Sequence, residues 1–540
     1  MTSILPHRLR RNEKVSFPEN IAFITIDYKK RKDKITFKKV YALFKGEIFE
    51  SDSKSEFWGW LLKRGYPLFV ISDNCKYFQV LGFMKYLTKA GFECKAIYED
   101  NNVFVAKFKK NKKRIILLDY KNFFKEEYHA KPVDIINLMN KKFDWLKKWW
   151  LENEMGNFGY SISTLAWNSW RHKFYKDVYI HNNEEALLLE NASYYGGRVE
   201  VYKFGKFKNV FYLDFNNMYA SVMKDNLFPK KLVGIIYNAS KEEVKKFLQQ
   251  GLLMISEVDV YSNEPIPLFP YKDPDKGLIF PNGYFRTFIS TPEIIAGFNS
   301  IVKFHRLALY EGDYLFTDFI DSVYQFMDQD KKFFKLFINS LYGRWGMRKK
   351  SFELDKENFF EIDEDCIKYY DGINLVEYRR FGNNWYRKTN DFSENSFVAI
   401  ASHITAYARV KLYKAMNVVG RDNLYYVDTD SLFVNEQGLE KIKTMIGKGL
   451  GQLKIKETGD LEILGLKIYR FNNKNVIVGA KKSAEISDEY YSQEEWSSIK
   501  SLISKGIYTD CYYRISKKKI SNTYKKGIVL TTGEVIPYTL

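Results

Sequence analysis

Two short acidic segments carry the residues that are best suited to chemistry. Asp214 ends an apolar run, whereas Asp428 and Asp430 stand two residues apart between apolar neighbours. Burying an uncompensated carboxylate costs about several kcal/mol, so a bound cation is its simplest partner. Magnesium prefers such oxygen ligands. Each segment alone also fits a solvated turn, but the two together predict a site for divalent metal ions.

A lysine-bearing segment lies between the two acidic segments. Lys331, Lys335, Asn339 and Tyr342 follow helical spacing, so they share one face of a predicted helix that ends at Gly343. Two ammonium groups, an amide and an aromatic ring on one stripe suit the binding of triphosphate oxygens and of a base. Taken alone, the stripe also fits an ordinary solvated amphipathic helix.

The whole chain is basic and rich in aromatic residues. Its 540 residues include 85 Lys and Arg against 66 Asp and Glu, a formal net charge of +19, and aromatic residues make up 17%. A positive surface favours a polyanionic partner, and interleaved rings and cations can stack bases while they neutralise phosphates. Nucleic acid is therefore the predicted partner, and the length excludes a single small module.

The elements that must position these residues form two blocks. In the first, apolar strand-like runs at 21–26, 68–71 and 115–118 alternate with helical segments such as 78–90, which predicts an α/β domain. The second block opens near Asn191 and carries the acidic segments. Basic clusters follow at 481–482, 517–519 and 525–526 and suit contact with a duplex backbone.

Cysteine and hydropathy patterns bear on location. Cys75, Cys94, Cys366 and Cys511 are too scattered for a metal knuckle or a disulfide framework, which indicates a reducing interior. No apolar run approaches the length of a membrane span. We expect a soluble intracellular protein with no membrane partner, in a host cytoplasm or an organelle.

Five segments, in order along the chain, resemble motifs of the family B DNA polymerases. Residues 214–219, 335–343 and 426–431 resemble the three polymerase motifs. The sequence Tyr-Tyr-Gly-Gly at 194–197 resembles the YxGG element of the protein-primed branch of phages, adenoviruses and linear plasmids, and Thr-Ala-Tyr-Ala-Arg at 405–409 resembles its TxxAR element. The chain is similar to the protein-primed branch of family B.

The resemblance implies a role in the chemistry for the acidic residues and the lysines. Asp214 and Asp430 would bind two magnesium ions, for which manganese can substitute, and Asp428 would support them. Lys331 and Lys335 would hold the incoming deoxynucleoside triphosphate.

Other motif residues are implied in nucleotide and DNA binding. Tyr219 would stack under the sugar and exclude a ribose 2′-hydroxyl, while Asn339 and Tyr342 would line the nascent base pair. The residues implied in positioning template and primer are Tyr194, Gly196, Gly197, Thr405, Arg409, Lys481 and Lys482. The last two only partly match the family's basic primer-binding motif, because Ser483 follows them where that motif has a tyrosine.

The implied fold is a multidomain α/β and α+β right hand, with palm, fingers and thumb behind an N-terminal RNase H-like exonuclease-type domain. The predicted domains are an exonuclease-like domain at 1–180, palm at 181–255, a first terminal-protein-type insertion at 256–315, fingers at 316–349, a second insertion at 350–395, palm at 396–495 and thumb at 496–540.

The N-terminal domain departs from the family pattern. Where a DxE pair is expected, Asp27 is followed two residues later by Lys29, and Phe78 stands where the next motif has a metal-binding aspartate. Two-metal hydrolysis does not tolerate Lys and Phe in place of carboxylates. We expect a degenerate exonuclease domain without proofreading, although a small shift in alignment would recruit Asp73 or Asp119.

The predicted function is that of a monomeric DNA-directed DNA polymerase. It would extend a template-primer at the 3′-hydroxyl and replicate a viral or linear mobile genome from a terminal priming protein. A reverse transcriptase also uses paired palm carboxylates, but the segment 335–343 argues against it. Primer-independent synthesis stays open. A catalytically silent DNA-binding subunit is a further alternative, against which the retained carboxylates argue, since they repel phosphate.

Overall fold

The computed structural model describes residues 6–540 apart from 101–102, 355–365, 372–373, 382–383, 393–394, 488 and 522. Four large sheets, of ten, seven, four and four strands, organise this part of the chain. No helix in the described ranges is long and apolar enough to cross a bilayer.

The N-terminal part alternates strands with helices. Its strands are β1 His7–Arg8, β2 Asn20–Arg31, β3 Lys34–Phe44, β4 Glu47–Ser51, β5 Leu68–Ser72, β6 Glu93–Asp100, β7 Val103–Lys110, β8 Lys113–Asp119 and β9 Tyr179–Ile180; its helices are α1 Lys54–Leu61, α2 Lys76–Val80, α3 Phe83–Lys89, α4 Pro132–Glu152 and α5 Ile162–Lys173. The three predicted apolar runs lie in β2, β5 and β8, which pair in parallel. The predicted helix 78–90 is interrupted, because Gly82 adopts φ +71°, a left-handed conformation that α-helices exclude.

The next part leads into a four-stranded antiparallel sheet. Its elements are α6 Glu184–Ser193, β10 Val199–Val201, β11 Gly205–Phe215, α7 Met218–Asp225, β12 Phe228–Tyr237, α8 Lys241–Gln249, β13 Leu253–Ser262, β14 Tyr271–Asp273, β15 Gly277–Ile279, β16 Gly283–Ser290, α9 Thr291–Ala296 and β17 Ile301–Asp313. The sheet order is β12-β17-β13-β16. Because β13 crosses the predicted boundary at 255/256 and β12 pairs with β17, this unit begins at Phe228 rather than at residue 256.

The predicted fingers contain two helices, α10 Thr317–Tyr324 and α11 Lys331–Trp345. Helix α11 does not end at Gly343 as predicted. It continues for two residues, because the ring of Trp345 is buried against Trp167 and Trp170 of α5, at centroid distances of 4.7 and 5.0 Å. The predicted second insertion then forms an antiparallel sheet of β18 Arg348–Leu354, β19 Cys366–Asp371, β20 Asn374–Phe381 and β21 Asn384–Phe392.

A seven-stranded antiparallel sheet carries the acidic segments. Its chain continues with α12 Val398–Val419, β22 Leu424–Asp428, β23 Ser431–Val434, α13 Glu436–Ile442, β24 Leu453–Gly465, β25 Ile468–Phe471 and β26 Lys474–Ile477. The strand order β10-β22-β23-β11-β24-β25-β26 places β11 between the acidic hairpin β22–β23 and β24. Helix α12 is buried along most of its length and supports this sheet.

The C-terminal segment, residues 490–540, links the N-terminal part to the seven-stranded sheet. It is preceded by the short strand β27 Glu485–Ile486. Its own elements are β28 Tyr490–Trp496, α14 Ile499–Ser504, β29 Cys511–Lys519, β30 Ile528–Val529 and β31 Val535–Ile536. Strand β29 pairs with β3 and extends the N-terminal sheet to ten strands. The chain then returns to the seven-stranded sheet, where Val535 N donates to Tyr202 O at 2.9 Å. The predicted thumb at 496–540 is thus built into two other parts, and β28 crosses its boundary.

Candidate active site

The seven-stranded sheet brings the three predicted carboxylates together. Asp214 lies near the end of β11 and pairs with Ser431 of β23, while Asp428 ends β22. Asp430 stands in the two-residue turn between β22 and β23, and the carbonyl of Asp430 accepts a bond from Phe215 N at 2.9 Å. The antiparallel register of β11 and β23 therefore places two distant acidic segments at one site.

The carboxyl group of Asp430 is in an unfavourable environment for a negative charge. Burial, and next the repulsion from Asp214, raise the pKa of Asp430 to about 6, although Lys335 and Lys456 oppose the shift. A cation in addition to these two lysines would therefore be strongly attracted to the carboxyl group of Asp430.

Two lysines that have no role in the predicted site contact these carboxylates, one on β24 and one in the turn between β24 and β25. Lys454 Nζ lies 3.2 Å from Asp214 Oδ2, and Lys467 Nζ lies 3.1 Å from Asp428 Oδ1. Lys467 is followed two residues later by Tyr469, whose ring packs on that of Tyr426 at 5.5 Å. This lysine–tyrosine spacing is the signal that would have found the basic motif.

The predicted basic pair lies elsewhere. Lys481 Nζ donates to the carbonyl of Glu494 at 2.5 Å, and Lys481 N donates to the side chain of Gln493 at 2.8 Å. Lys481 is therefore tied to β28, whereas Lys482 is exposed to solvent. We infer that Lys467 and Tyr469 fit the basic motif better than Lys481 and Lys482.

Helix α11 presents its predicted polar stripe towards the acidic site. Lys331 and Lys335 are exposed, and Asn339 and Tyr342 are partly buried on the same face. The Asn339 Oδ1 atom is buried and has no hydrogen-bond partner among the described residues. Lys335 and Asn339 also line a cavity of about 330 Å³ between α11 and residues 123–126. The stripe therefore combines a cationic group with an unused acceptor.

Tyr219 and Tyr342 join α7 to α11. Their rings stack at 4.6 Å with an interplanar angle of 5°. Asn217, which departs from the family motif, caps α7 with φ +49°, a left-handed conformation that asparagine tolerates better than most residues. The two tyrosines thus meet at one side of the acidic site.

The Tyr-Tyr-Gly-Gly loop packs against the catalytic hairpin. Thr429 N donates to Arg198 O at 2.8 Å, and a Cβ atom on Gly197 would come within 2.8 Å of the Thr429 side chain. Gly196 faces open space instead. The ring of Tyr194 fits against Gly346, where a Cβ atom would come within 2.5 Å of it. The loop therefore contacts both the acidic turn and the end of α11.

Thr405 and Arg409 do not present their side chains to solvent. Arg409 is buried, and it donates to Glu293 Oε1 at 2.7 and 3.0 Å and to the carbonyls of Tyr195 and Gly196 at 3.0 and 3.1 Å. The hydroxyl of Thr405 donates to the carbonyl of Ser402 at 3.1 Å. The expectation that these two side chains touch DNA is therefore corrected, because the structure places them behind the loop, where Arg409 holds its backbone.

The acidic site suits magnesium that arrives with a substrate. In the described ranges, no group of three or more His, Cys, Asp or Glu side chains could hold a metal ion. Magnesium, however, is usually held by one or two carboxylates together with water and substrate phosphates. Asp214 and Asp430 would supply these two carboxylates, and a dication would offset both the burial and the repulsion from Asp214 that raise the pKa of Asp430.

The corresponding region of the N-terminal part is closed by aromatic side chains. The carboxylate of Asp27 accepts a hydrogen bond from Tyr41 at 3.1 Å, and Phe78 is fully buried. Trp496 of the C-terminal segment packs on Tyr28 and Tyr77, with ring centroids 5.5 and 6.3 Å away. Tyr28 and Tyr77 adjoin Asp27 and Phe78 in the sequence, so this aromatic cluster stands beside two of the positions where metal ligands are expected.

The two other N-terminal aspartates are held by the protein. Both carboxylate oxygens of Asp119 accept backbone bonds, from Cys75 N at 2.8 Å and from Lys121 N at 2.7 Å. Asp73 Oδ1 is buried without a partner among the described residues, and burial raises the pKa of Asp73 to about 7. Asp73 and Asp119 lie close enough to interact electrostatically, so the loss of the exonuclease site stays a prediction.

Comparison with known proteins identifies the family. The profile of the family described as "DNA polymerase type B, organellar and viral" matches residues 83–419, more than half of the chain. The chain belongs to this family of type B DNA polymerases.

Curated relatives are proteins described as probable DNA polymerases. One from Podospora anserina is 25% identical over 419 residues, which is 66% of this chain and 33% of the relative. Another from Neurospora intermedia is 26% identical over 339 residues, which is 57% of this chain and 33% of the relative. The matched region spans about a third of the length of these relatives.

Solved structures of Phi29 DNA polymerase share the fold. The ternary complex with primer-template DNA and incoming nucleotide has a TM-score of 0.68 and 14% identity, and the match covers 94% of this chain and 100% of that one. A binary complex with primer-template DNA has a TM-score of 0.59 and 15% identity, with 94% and 93% coverage. The prediction of a mixed α/β right-hand polymerase with an exonuclease-type domain is confirmed.

Proposed function

We propose that this chain is a template-directed DNA polymerase that adds deoxynucleotides to a 3′-hydroxyl. The observation that carries the proposal is the meeting of Asp214 and Asp430 near Lys335, whose positive charge opposes the rise in the pKa of Asp430 that burial and Asp214 cause. A protein that only binds DNA gains nothing from carboxylates that repel phosphate.

The side chains around this site suit distinct parts of the reaction. Asp214 and Asp430 would hold two magnesium ions, which supply Lewis-acid chemistry by activating the primer hydroxyl and stabilising the leaving pyrophosphate. Lys331 and Lys335 would bind the triphosphate, which their exposure on one face of α11 supports. The unused Oδ1 of Asn339 and the ring of Tyr342 would contact the nascent pair.

Sugar selection is proposed for Tyr219. Its ring is held by the stack on Tyr342 and is largely buried, so it cannot easily move away from a bulkier sugar. A fixed ring beside the 2′ position would exclude a ribose hydroxyl by steric contact.

The main test is extension of a labelled primer-template by the wild type and by Asp430→Asn in magnesium. We expect extension by the wild type and loss of at least about a thousandfold in the variant, because one carboxylate of the pair is neutralised. Wild-type protein that binds the DNA without extending it would favour a silent subunit. Incorporation without any primer would favour the primer-independent alternative.

Protein priming is proposed from the two sheets that interrupt the polymerase motifs. One sheet spans 228–313 between Asp214 and α11, and the other spans 348–392 between α11 and α12. These are the positions in which the resembled branch carries its insertions for a terminal priming protein and for enclosing DNA. Replacement of two exposed side chains of the first sheet, in Tyr261→Ala with Tyr284→Ala, should weaken initiation from a protein hydroxyl while short-primer extension persists. Equal loss of both activities would contradict this assignment.

Absence of proofreading is proposed from the N-terminal part. Lys29 and Phe78 replace expected metal ligands, and the rings of Tyr28, Tyr77 and Trp496 cover the region. We expect no shortening of a labelled primer in magnesium or manganese, by the wild type or by Trp496→Ala. Shortening by Trp496→Ala alone would mean that the ring cover, and not the lost carboxylates, is what prevents degradation.

A further inference from the structure

Two lysines of β24 stand beside the catalytic aspartate of β11. In the antiparallel register, Lys454 lies directly opposite Asp214. Lys456 is two residues further along, on the same face of the strand, and its Nζ is 4.0 Å from Asp214 Oδ1. The sequence motifs leave both lysines without a role.

The two lysines are held differently. Lys456 Nζ lies 3.2 Å from the Tyr212 hydroxyl and 4.7 Å from the centre of its ring, and that ring stacks on Phe433 at 4.4 Å. Lys456 is therefore fixed by neighbours. The side chains of Lys454 and Lys456 are similarly exposed, at 41% and 48%. Among the described residues, however, Lys454 Nζ pairs with Asp214 alone, at 3.2 Å, so it can leave the carboxylate for solvent without breaking a second contact.

We propose that Lys454 is a positioning residue that acts as a displaceable counterion of Asp214. It neutralises the buried carboxylate before substrate binds and competes with a divalent ion for the same oxygen. Lys456 remains as a fixed positive charge. Since an incoming triphosphate brings negative charge of its own, the metal ion displaces Lys454 most readily when it arrives with the nucleotide. This inference rests on the proposed polymerase function.

An ordinary ion pair on the same strand provides a matched comparison. Lys474 Nζ lies 2.8 Å from Glu457 Oε2, and the two side chains are 69% and 30% exposed. Exposed pairs of this kind contribute little and leave no buried charge behind when they separate. Lys454 differs because its partner is buried and acts electrostatically on Asp430.

The test is a titration with Mn²⁺ alone, followed by electron paramagnetic resonance, at fixed pH and without DNA or nucleotide. We expect Lys454→Gln to bind Mn²⁺ about three- to tenfold more tightly than the wild type, because the competing charge is gone. Lys454→Arg and Lys474→Gln should bind as the wild type does. The difference between Lys454→Gln and wild type should shrink as salt is added.

Unchanged or weaker binding by Lys454→Gln overturns the proposal, as does equal tightening in Lys474→Gln. Thermal unfolding of each variant without metal checks that it is folded, and Lys454→Met, which also removes the charge, repeats the test if the glutamine variant is not. Primer extension by the wild type is measured separately. Tightened binding without any extension would reject the polymerase function, whereas extension with unchanged binding would reject only the role of Lys454.

Discussion

Two acidic regions of this chain differ in what surrounds their carboxylates. In the palm, Asp214 and Asp428 are paired with lysines that are each more than 40% exposed. In the N-terminal part, Asp27 accepts a bond from a tyrosine and Asp119 accepts two backbone bonds. The carboxylates of the seven-stranded sheet thus have exchangeable partners, whereas Asp119 is held by backbone amides and Asp27 by the hydroxyl of the partly exposed Tyr41.

If the N-terminal site is inactive as proposed, this difference would explain how a polymerase fold keeps one acidic site and loses another. A carboxylate serves metal-dependent catalysis only if its protein partner can be replaced by a cation from solution. Backbone amides and buried rings cannot be displaced without unfolding part of a domain. The four predictions that follow test this comparison, from the largest expected effect to the smallest.

Neutralising an aspartate should lower nucleotide incorporation when the aspartate lies in the seven-stranded sheet but not when it lies in the N-terminal part. We expect Asp214→Asn to lower single-nucleotide incorporation by at least about a thousandfold, because it removes half of the carboxylate pair. Asp27→Asn should leave incorporation within about twofold of wild type. Rapid-quench kinetics on one primer-template compares the two variants, and equal losses in both would remove the distinction between the sites.

The lysine that faces the palm carboxylates should dominate nucleotide binding. Lys335→Ala should raise KM for the incoming nucleotide by about 30- to 100-fold, because a charge-assisted contact to phosphate is lost. Lys332→Ala is the control, since Lys332 is equally exposed on the same helix but lies outside the stripe. Steady-state kinetics measures both, and a larger effect of Lys332 would place the triphosphate on another face of α11.

Substitution of Gly196 and of Gly197 should have different effects, one on DNA binding and the other on the geometry of the acidic turn. In Gly197→Ala the new methyl group collides with Thr429, so we expect kcat to fall by about 10- to 100-fold through displacement of the acidic turn. Gly196→Ala meets open space, so kcat should persist. If DNA phosphates approach the loop backbone, Gly196→Ala should instead weaken primer-template binding, which fluorescence anisotropy measures. A loss of kcat in Gly196→Ala would argue against these separate roles for the two glycines.

The free energy of unfolding should depend on pH because Asp73 binds a proton more tightly in the folded chain than in the unfolded chain. Burial raises the pKa of Asp73 from 3.8 to about 7, so between these values the folded chain holds a proton that the unfolded chain has lost. This contribution therefore makes the protein less stable as pH rises from about 4 to 7. Asp73→Asn should add about 1–2 kcal/mol at pH 8 and nothing at pH 4.

Urea unfolding of wild type and variant at the two pH values measures this effect. The exposed residue Asp52 supplies the control variant Asp52→Asn, which should follow the wild type. A stabilisation by Asp73→Asn that is equal at both pH values would mean that lost hydrogen bonding, rather than protonation, explains it.

The sequence could predict the local parts of the site. The apolar strand before Asp214, the acidic hairpin at 424–434 and the stripe of α11 all depend on neighbours within a few residues, and periodicity reports such neighbours directly. The end of α11 was predicted too early, because its last turn is stabilised by the distant rings of Trp167 and Trp170.

Contacts between residues that are distant in the sequence could not be predicted from the sequence alone. Lys454 meets Asp214 only through the register of β11 with β24, which two bulges shift along its length. Arg409 carries a charge that suggests a DNA contact, but the burial of its partner Glu293 is a property of the folded core. The predicted domain boundaries at 255 and 495 differ from the observed units for the same reason. Strand pairing joins distant residues into one sheet, and the composition of the segments does not reveal which strands pair.

The ten-stranded sheet also sets an order for biosynthesis. Strand β29 completes the edge of β3, and Ile499, Leu502 and Cys511 fill the core of the N-terminal part. At about 5–20 residues per second, these residues leave the ribosome on the order of tens of seconds after β3. During that interval the nascent N-terminal part has an unpaired strand edge and an incomplete core. We therefore expect it to need protection from aggregation until β29 has left the ribosome.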